Sequence, residues 1–388
     1  MMQFTLNLTL VNHQLFYHSS RKPITAKIRH GLKWLCLDGT LTIALLLLEL
    51  IGLLVLYSAS NQSLAMVGKQ FGHFVLAFIC MLFFAKIPPE RYQEIIPWLY
   101  TISLLALLYV AFFGLISKGG QRWINLAFIR FQPSEVMKLA MPMMLAWYLR
   151  EKPLPLKFNT ILTCFFIVGV PTFLIIRQPD LGTAILVSLT AVLVLLLAGI
   201  ERKIFWGGIL ANIAILPIAW HFLYPYQKMR ILIFLSPERD PLRHGYNIIQ
   251  SKIALGSGGF WGQGWLSGSQ SHLKFLPEST TDFAIAVFGE EFGFIGYLLL
   301  FLLLAVIIGR SLYIAMHAQT TFSRLLSGSL TLSFFGACFV NLGMVSSLLP
   351  VVGVPFPFIS YGGSALLIFM LSFGIIMSVN SHRKLISC

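Results

Sequence analysis

The sequence is poor in charged residues, above all in acidic ones. Only 11% of its 388 residues are charged, and Asp and Glu together number 14. Hydrophobic residues make up 57%, and several apolar runs reach the roughly 20 residues that span a bilayer. This composition excludes a soluble globular domain and a disordered chain. It predicts an integral membrane protein.

Cysteine is scarce, and its spacing carries no pattern. The five cysteines are Cys36, Cys80, Cys164, Cys338 and Cys388. Because they are dispersed, we predict neither a disulfide framework nor metal-binding residues. No sequence repeat of about 20–50 residues is evident, which argues against a solenoid. No cleavable signal peptide is evident before the first apolar run, which begins near Leu41.

We predict an all-α, polytopic membrane protein with about ten transmembrane helices in one bundle. The helices are expected at 41–59, 68–86, 94–115, 134–149, 158–176, 181–199, 203–222, 283–309, 322–346 and 364–380. A leader at 1–40 precedes the bundle at 41–384. A large outer loop at 223–282 joins helices seven and eight. Prolines and glycines at 348–363 predict a broken or re-entrant outer segment.

The positions of Lys and Arg predict the orientation of the bundle. Most of the 28 basic residues flank helix ends on one side, including Lys33, Lys86, Arg150 and Arg310. By the positive-inside rule this side is cytoplasmic, and an even helix count returns both termini to it. The net charge of +14 therefore reflects topology, and it does not indicate a nucleic acid partner.

Other basic residues fall in or beside the outer connections, against this rule. The candidates for substrate binding are Lys118, Arg122, Arg130, Lys228 and Arg230, with Trp123 next to Arg122. An anionic ligand would account for them, because Arg and Lys bind phosphate well. Contact with anionic lipid headgroups is the alternative.

The segment LPESTTDFAIAVFGEEFG, residues 276–293, sets an acidic, polar stretch against the start of a membrane helix. Asp282 lies just before the apolar run, and Glu290 and Glu291 lie two turns further in. Ionisable residues at a membrane edge are costly and therefore indicate function. We interpret this segment as the candidate active site.

Three other polar groups have local interpretations. Glu135 and Lys138 share a helix face, which predicts an internal ion pair. Asp180 is predicted to cap the sixth helix rather than to act in catalysis. Ser360, Tyr361 and Ser364 would supply hydroxyls to a cavity at this broken segment, although a purely structural re-entrant turn remains the alternative.

The segment GSGGFWGQGW, residues 256–265, combines glycines with aromatic side chains. Its aromatics would anchor the loop among lipid headgroups. Alternatively, they would stack on a sugar ring while the glycines allow close approach of the backbone. The sequence leaves both interpretations open.

Six segments together resemble signatures of the SEDS family (shape, elongation, division and sporulation proteins, with RodA, FtsW and SpoVE groups). They are GLLVLYSAS, GGQRWINL, FQPSE, RQPDLGTA, LPESTTDFAIAVFGEE and PFPFISYGGS, in family order between about Trp34 and Lys384. The segments FIRFQPSE and LLPVVGVPFPFISYGGS resemble the elongation (RodA) group more than the division group. Thr280 stands where many relatives have His, so no role of that histidine is carried over.

The resemblance implies a peptidoglycan glycosyltransferase of cell-wall elongation and rod-shape maintenance. Such an enzyme polymerises lipid II, with inversion and release of undecaprenyl diphosphate, at the outer face of the bacterial cytoplasmic (inner) membrane. The implied partner is a class B penicillin-binding protein, a transpeptidase. The family's essential acid falls on Asp282, the candidate catalytic base. A divalent cation, Mg²⁺ or Mn²⁺, at the pyrophosphate is the one cofactor considered.

Two other functions stay open: a lipid II flippase, and a non-catalytic membrane scaffold for cell-wall enzymes. A ten-helix bundle with a broken helix near Pro355 is compatible with transport. However, no inverted repeat is evident, and the polar residues concentrate in outer loops. A scaffold would tolerate substitution of Asp282.

Overall fold

A computed structural model describes residues 36–117, 120–126, 129–201, 245–273 and 275–383, with short stretches between 203 and 236. The helices assigned in these residues are α1 (Gly39–Ala59), α2 (Leu64–Ala85), α3 (Pro89–Phe113), α4 (Pro133–Leu149), α5 (Phe158–Arg177), α6 (Leu181–Leu197), α7 (Tyr246–Ser257), α8 (Ser269–His272), α9 (Ala284–Met316), α10 (Thr321–Val345) and α11 (Gly363–Ser381). The strands are β1 (Leu115–Ser117), β2 (Gly120–Leu126) and β3 (Ile129–Phe131).

The predicted helical membrane fold is confirmed. Within the described residues, seven helices are long and apolar enough to cross a membrane, and α6 is a shorter apolar helix. The predicted helices begin and end within five residues of the observed ones, except that α9 continues seven residues beyond its predicted end at 309. The helix predicted at 203–222 lies mostly outside the described residues, as does most of the leader at 1–40.

The outer connections contain small elements that the sequence did not predict. Strands β1, β2 and β3 form an antiparallel sheet between α3 and α4, with Asn125 opposite Arg130. Helices α7 and α8 lie within the predicted loop at 223–282. The two outer strands have three residues each, too few to display a clear alternation of polar and apolar side chains.

Helices α10 and α11 form the centre of the bundle. Both are mostly buried, whereas most residues of α2, α3 and α5 are not, as expected of helices at the periphery of a membrane bundle. Helix α10 is rich in small residues such as Ser327, Gly328 and Ser329, all of which are buried. Small residues let membrane helices pack closely, so the sequence of α10 suits its central position.

Residues 346–362, between α10 and α11, are non-helical, and residues 356–360 of this segment are all buried. A Cβ atom at Gly52 of α1 would lie only 2.1 Å from the Phe358 carbonyl oxygen. Gly52 lies seven residues before the end of α1, or about 10 Å along the helix. The segment therefore enters the bundle from the outer side. Its backbone receives internal hydrogen bonds there, including 2.6 Å from Asn341 Nδ2 to the Val354 carbonyl.

At the predicted cytoplasmic end of the bundle, one charged cluster connects three helices. Asp38 caps α1 by accepting a hydrogen bond from the Leu41 amide. Its carboxylate also accepts hydrogen bonds from Arg310 of α9 (2.7 Å) and Asn380 of α11 (3.1 Å). Three helices distant in sequence therefore meet at one buried carboxylate.

Candidate active site

A polar cavity of about 160 Å³ lies where the N-termini of α4, α6 and α11 converge. Its walls are Arg122 of β2; Gln132, Glu135 and Lys138 at α4; Asp180 and Thr183 at α6; Gly353, Val354, Pro355 and Gly362 of the re-entrant segment; and Ser364 and Ala365 of α11. Helix N-termini carry partial positive charge, so their convergence favours an anionic ligand.

Asp282, in the turn before α9, is not among the residues that line this cavity, but its carboxylate lies next to one of them, Gly353. Its side chain is half-buried. Its Oδ2 atom lies 3.4 Å from the position that a Cβ atom would take on Gly353, which has a φ of +73°. Gly353 lines the cavity, so it brings backbone against the carboxylate where a larger residue would be strained.

The backbone around Asp282 is fixed to the re-entrant segment and to α10. Asn341 of α10 donates a 3.0 Å hydrogen bond to the Asp282 carbonyl. The Tyr361 amide donates to the Thr280 carbonyl at 2.8 Å. The segment that carries the candidate base is thus held against the wall of the cavity.

Glu135 and Lys138 form the predicted ion pair, which is confirmed. Lys138 Nζ lies 2.6 Å from Glu135 Oε1, and both side chains are buried. The pair also lines the cavity, which the sequence interpretation did not anticipate. Glu135 Oε2 is buried and has no hydrogen-bond partner among the described residues. This oxygen can accept a hydrogen bond from a donor group of a ligand.

Asp180 caps α6, as predicted. Its Oδ1 atom accepts a 3.3 Å hydrogen bond from the Thr183 amide. Its Oδ2 atom accepts a 2.9 Å bond from Gln132 and a 3.4 Å bond from Ser134. The carboxylate therefore joins the starts of α4 and α6, which fixes the spacing of these two cavity walls.

Arg122 is the candidate phosphate ligand that the structure places in the cavity wall. Its Nε donates to the Gln178 carbonyl at 3.1 Å, and its Nη2 donates to the Pro179 carbonyl. These partners are neutral, so they orient the guanidinium without cancelling its charge. The N-termini of α4 and α11 carry no side-chain cap. Arg122 and these two termini together place positive charge along one wall of the cavity, a feature typical of anion sites.

The other predicted basic residues are not brought to this cavity in the described part of the chain. Lys118 and Arg230 lie outside the described residues, and Lys228 is half-buried in a short described stretch. Arg130 pairs with Asn125 in the sheet, and its side chain lies outside the described part. Trp123 is half-buried in β2, beside Arg122.

Ser360 and Tyr361 lie in the re-entrant segment near Asp282. The Ser360 hydroxyl is buried and accepts a 2.9 Å hydrogen bond from the Phe356 amide, so it stabilises the segment itself. The Tyr361 ring lies 6.4 Å from the ring of His73 of α2. Of the three hydroxyl residues predicted for the cavity, Ser364 of α11 lines it, whereas Ser360 and Tyr361 are not among its lining residues.

Glu290 and Glu291 hold the outer loop rather than line the cavity. Both are buried. Glu290 Oε1 accepts hydrogen bonds from the Gln270 amide (2.9 Å) and the Ser269 hydroxyl (3.2 Å). Glu291 Oε1 accepts from the Leu266 amide at 3.2 Å and from the Ser58 hydroxyl of α1. These contacts fix the first turns of α9, directly after Asp282.

Sequence reasoning missed Gln132, Gly353 and the cavity role of the Glu135–Lys138 pair. One signal was present, because a Glu and a Lys inside a predicted membrane helix indicate a functional cavity by their cost alone. The contribution of Gly353 needed the fold, since 71 residues separate it from Asp282. A single sequence gives no sign of such a contact.

The side chains of the cavity determine whether the predicted divalent cation could bind there. Among the described residues there is no group of three or more His, Cys, Asp or Glu side chains suited to a metal. Magnesium commonly takes one or two carboxylates together with substrate phosphates. The unpartnered Glu135 Oε2 fits such a single protein ligand, so a cation that arrives with a diphosphate is compatible with the cavity.

A family model described as cell cycle protein, FtsW/RodA/SpoVE, matches residues 39–385. The peptidoglycan glycosyltransferase MrdB of Escherichia coli (strain K12) is 47% identical over 352 residues, covering 90% of this chain and 95% of that protein. MrdB of Helicobacter pylori (strain ATCC 700392 / 26695) is 36% identical over 340 residues, covering 85% and 86%.

Two solved structures share the fold. One is a chain from a study of how a peptidoglycan synthase complex coordinates polymerization and crosslinking. It has a TM-score of 0.78 at 26% identity. It covers 89% of this chain and 99% of that chain. The rod shape determining protein RodA of Thermus thermophilus has a TM-score of 0.67 at 22% identity, covering 89% and 98%.

Proposed function

Since this chain belongs to the FtsW/RodA/SpoVE family and is a peptidoglycan glycosyltransferase of rod-shape elongation, we propose that its cavity joins two lipid II molecules, with Asp282 as general base. The observation that carries this proposal is the carboxylate of Asp282 against Gly353, at the edge of a cavity built from helix N-termini. The proposed base therefore lies behind Gly353, one residue away from the cavity that contains Arg122.

The attacking group in this reaction is the 4-hydroxyl of the acceptor sugar. Its oxygen forms a bond to the anomeric carbon of the donor, and Asp282 takes the hydroxyl proton. A positioned base contributes roughly 10²–10⁴-fold to such a step. The fixed backbone at Thr280 and Asp282 supports this role, because proton transfer requires a well-placed carboxylate.

The bond from the anomeric carbon to the diphosphate oxygen breaks, and the electron pair leaves with undecaprenyl diphosphate. Attack from the opposite face inverts the anomeric configuration. Arg122 and the uncapped N-termini of α4 and α11 would stabilise the departing charge. A divalent cation bound with the diphosphate would add charge neutralisation, with Glu135 as its protein ligand.

The working partner that we propose is a class B penicillin-binding protein, whose transpeptidase activity would crosslink the new strand. The likeness to a chain in a peptidoglycan synthase complex supports this proposal. We also propose residence in the bacterial cytoplasmic membrane, with cytoplasmic termini and the cavity at the outer face. The distribution of basic residues supports this orientation.

The flippase and scaffold hypotheses predict different products from the same preparation. We expect purified protein with lipid II to give a ladder of glycan strands on a gel. A flippase would move labelled lipid II across a liposome membrane without chain growth, and a scaffold would do neither. Transport of lipid II without polymer, whether or not the transpeptidase is added, would refute the polymerase hypothesis.

A further inference from the structure

A second concavity lies between the ends of α3 and α5 that the charge distribution predicts to be outer. This α3–α5 groove has a volume of about 420 Å³. Its apolar walls are Leu108, Ala111 and Phe112 of α3 and Phe173 and Leu174 of α5. Phe112 is 74% exposed and Phe173 is 58% exposed, so the groove opens toward the lipid.

The predicted outer end of the groove is polar. Gln121, Arg177 and Gln178 line it. The Arg177 guanidinium lies 5.4 Å from the centre of the Phe173 ring, which holds the charge above the apolar wall. This order of apolar walls followed by a cation matches a lipid tail that ends in phosphate.

Gln178 adds a hydrogen-bonding group that is ready for a ligand. Its side chain is 2% exposed, and its Nε2 donates to the Leu107 carbonyl at 2.9 Å. Its Oε1 atom is buried and has no hydrogen-bond partner among the described residues. A buried acceptor without a partner is costly, so a hydroxyl or amide donor from a ligand would satisfy it.

Only a thin wall separates the groove from the catalytic cavity. Gln121 lines the groove and the next residue, Arg122, lines the cavity. Arg122 Nε donates to the backbone carbonyl of Gln178 at 3.1 Å. A ligand in the groove therefore lies beside the wall that we assign to the diphosphate.

The volumes of the cavity and the groove indicate which part of the substrates each can hold. Ligand sites commonly measure about 300–1,000 Å³. The cavity, at about 160 Å³, is too small for two saccharide diphosphates, whereas the groove, at about 420 Å³, is large enough for one lipid-phosphate end.

We propose that the α3–α5 groove binds the polyprenyl diphosphate end of one lipid-linked saccharide. The apolar walls hold the first isoprene units, Arg177 pairs with the phosphates and Gln178 Oε1 accepts a hydrogen bond from the saccharide. This inference rests on the proposed function, since glycosyl transfer between lipid-linked molecules requires two such binding places.

The test compares binding and kinetics of groove variants in lipid nanodiscs. Arg177→Ala removes the cation, and Ala111→Trp fills the apolar wall. Arg177→Ala should weaken binding of a fluorescent polyprenyl diphosphate saccharide about tenfold, the effect of losing one charged hydrogen bond. Ala111→Trp should weaken it by at least as much, because the added ring occupies the space of the lipid tail. In polymerisation, KM for lipid II should rise by a similar factor while kcat changes less than about twofold.

Matched controls separate the groove from general effects on charge and folding. Lys252→Ala removes an exposed cation of α7, and Ala65→Trp adds the same bulk to an exposed position of α2. Both should leave binding and KM unchanged. Arg177→Lys should recover part of the affinity, because it restores the charge without the planar guanidinium. Thermal unfolding identifies any variant that fails to fold.

Competition identifies the source of the phosphate. Excess phosphatidylglycerol and free inorganic diphosphate should displace the probe weakly, while unlabelled polyprenyl diphosphate displaces it fully. The proposal is overturned if the groove variants bind like wild type, or if phosphatidylglycerol competes equally well. If wild type makes no polymer yet the groove variants still lose binding, the proposed function fails and the groove assignment stands.

Discussion

Glu135 and Lys138 place two opposite charges inside α4, 2.6 Å apart and largely removed from solvent. Taking two charges out of water costs several kcal/mol each, and their attraction repays this only with good geometry. Well-packed apolar residues at these two positions would stabilise the protein at least as well as the ion pair. The retention of charge in the cavity wall therefore suggests a role toward the ligand.

We expect Lys138→Met alone to lower both stability and polymerisation. It would leave Glu135 as an unpaired buried charge, which costs about 3–5 kcal/mol. The double variant Glu135→Leu with Lys138→Met should recover most of the stability but little of the activity. Thermal unfolding together with the strand assay checks this, and a fully active double variant would make the pair purely structural.

The sequence predicted residues whose partners are near in the chain. The Glu135–Lys138 pair follows from a spacing of three on a helix, and the Asp180 cap follows from its place before α6. In contrast, Arg122 reaches Gln178, and Gln132 reaches Asp180, across about 50 residues. Such contacts depend on how helices pack, so one sequence cannot specify them.

At the scale of elements, the kink in α9 explains the glycine-rich segment 256–265. Gly293 interrupts the helix with φ +62° and ψ −158°. The freed carbonyls of Glu290 and Glu291 accept hydrogen bonds from the amides of Gln263 and Gly264, both at 3.0 Å. The segment therefore satisfies the backbone of a broken membrane helix.

This packing gives the glycines a role that neither sequence interpretation included. A Cβ atom at Gly262, where φ is +82°, would lie 2.1 Å from the Glu291 carbonyl oxygen. The aromatic rings remain largely exposed, with Trp261 at 78%. Trp265 donates its indole N–H to the Leu54 carbonyl of α1 at 3.3 Å. Backbone strain and backbone contacts of this kind leave no periodic signature in a sequence.

We expect Gly262→Ala to lower stability by about 2–3 kcal/mol, because the residue would be strained and would push the segment off α9. Polymerisation should fall with it, since the first turns of α9 follow Asp282 directly. Thermal unfolding and the strand assay provide the measurement. The matched control is Gly256→Ala, whose added Cβ would meet nothing within 4 Å.

That control should be neutral or slightly stabilising, since Ala is favoured over Gly in a helix by about 0.5–1 kcal/mol. Equal effects of the two substitutions would contradict the close-packing account. So would a Gly262→Ala protein with wild-type stability.

At the scale of the whole molecule, the charged cluster at Asp38 lies at the opposite end of the bundle from the cavity. Asp38 and the Arg310 guanidinium join α1 to α9, and Asn380 adds α11. Both α1 and α11 reach the re-entrant segment at their other ends. The cluster therefore stabilises the helices that hold the cavity without touching the substrate.

We expect Arg310→Ala to destabilise the protein by about 1–3 kcal/mol, a modest value because Arg310 is one-third exposed and Asn380 still contacts Asp38. The kcat of the folded fraction should change less than about twofold, since the charge is far from the reaction. Arg310→Lys should recover part of the stability. A large fall in kcat at unchanged stability would contradict a purely structural cluster.

The number and order of membrane helices were predictable from hydropathy because lipid imposes long apolar spans. The convergence of α4, α6 and α11 on one cavity was not predictable in the same way. Each of these helices has an ordinary N-terminus, and only their packing brings Gln132, Asp180 and Gly362 together. The candidate site is thus a property of the assembled bundle.

The central claim is tested most directly by strand synthesis with Asp282→Asn, which keeps the size of the side chain and removes its basicity. We predict a loss of roughly 10²–10⁴-fold in polymerisation rate, with binding of lipid II and thermal stability close to wild type. Glu94→Gln, which neutralises an exposed acid of α3 outside the candidate site, should leave the rate unchanged. Polymerisation by Asp282→Asn within a few-fold of wild type would contradict the assignment of the base.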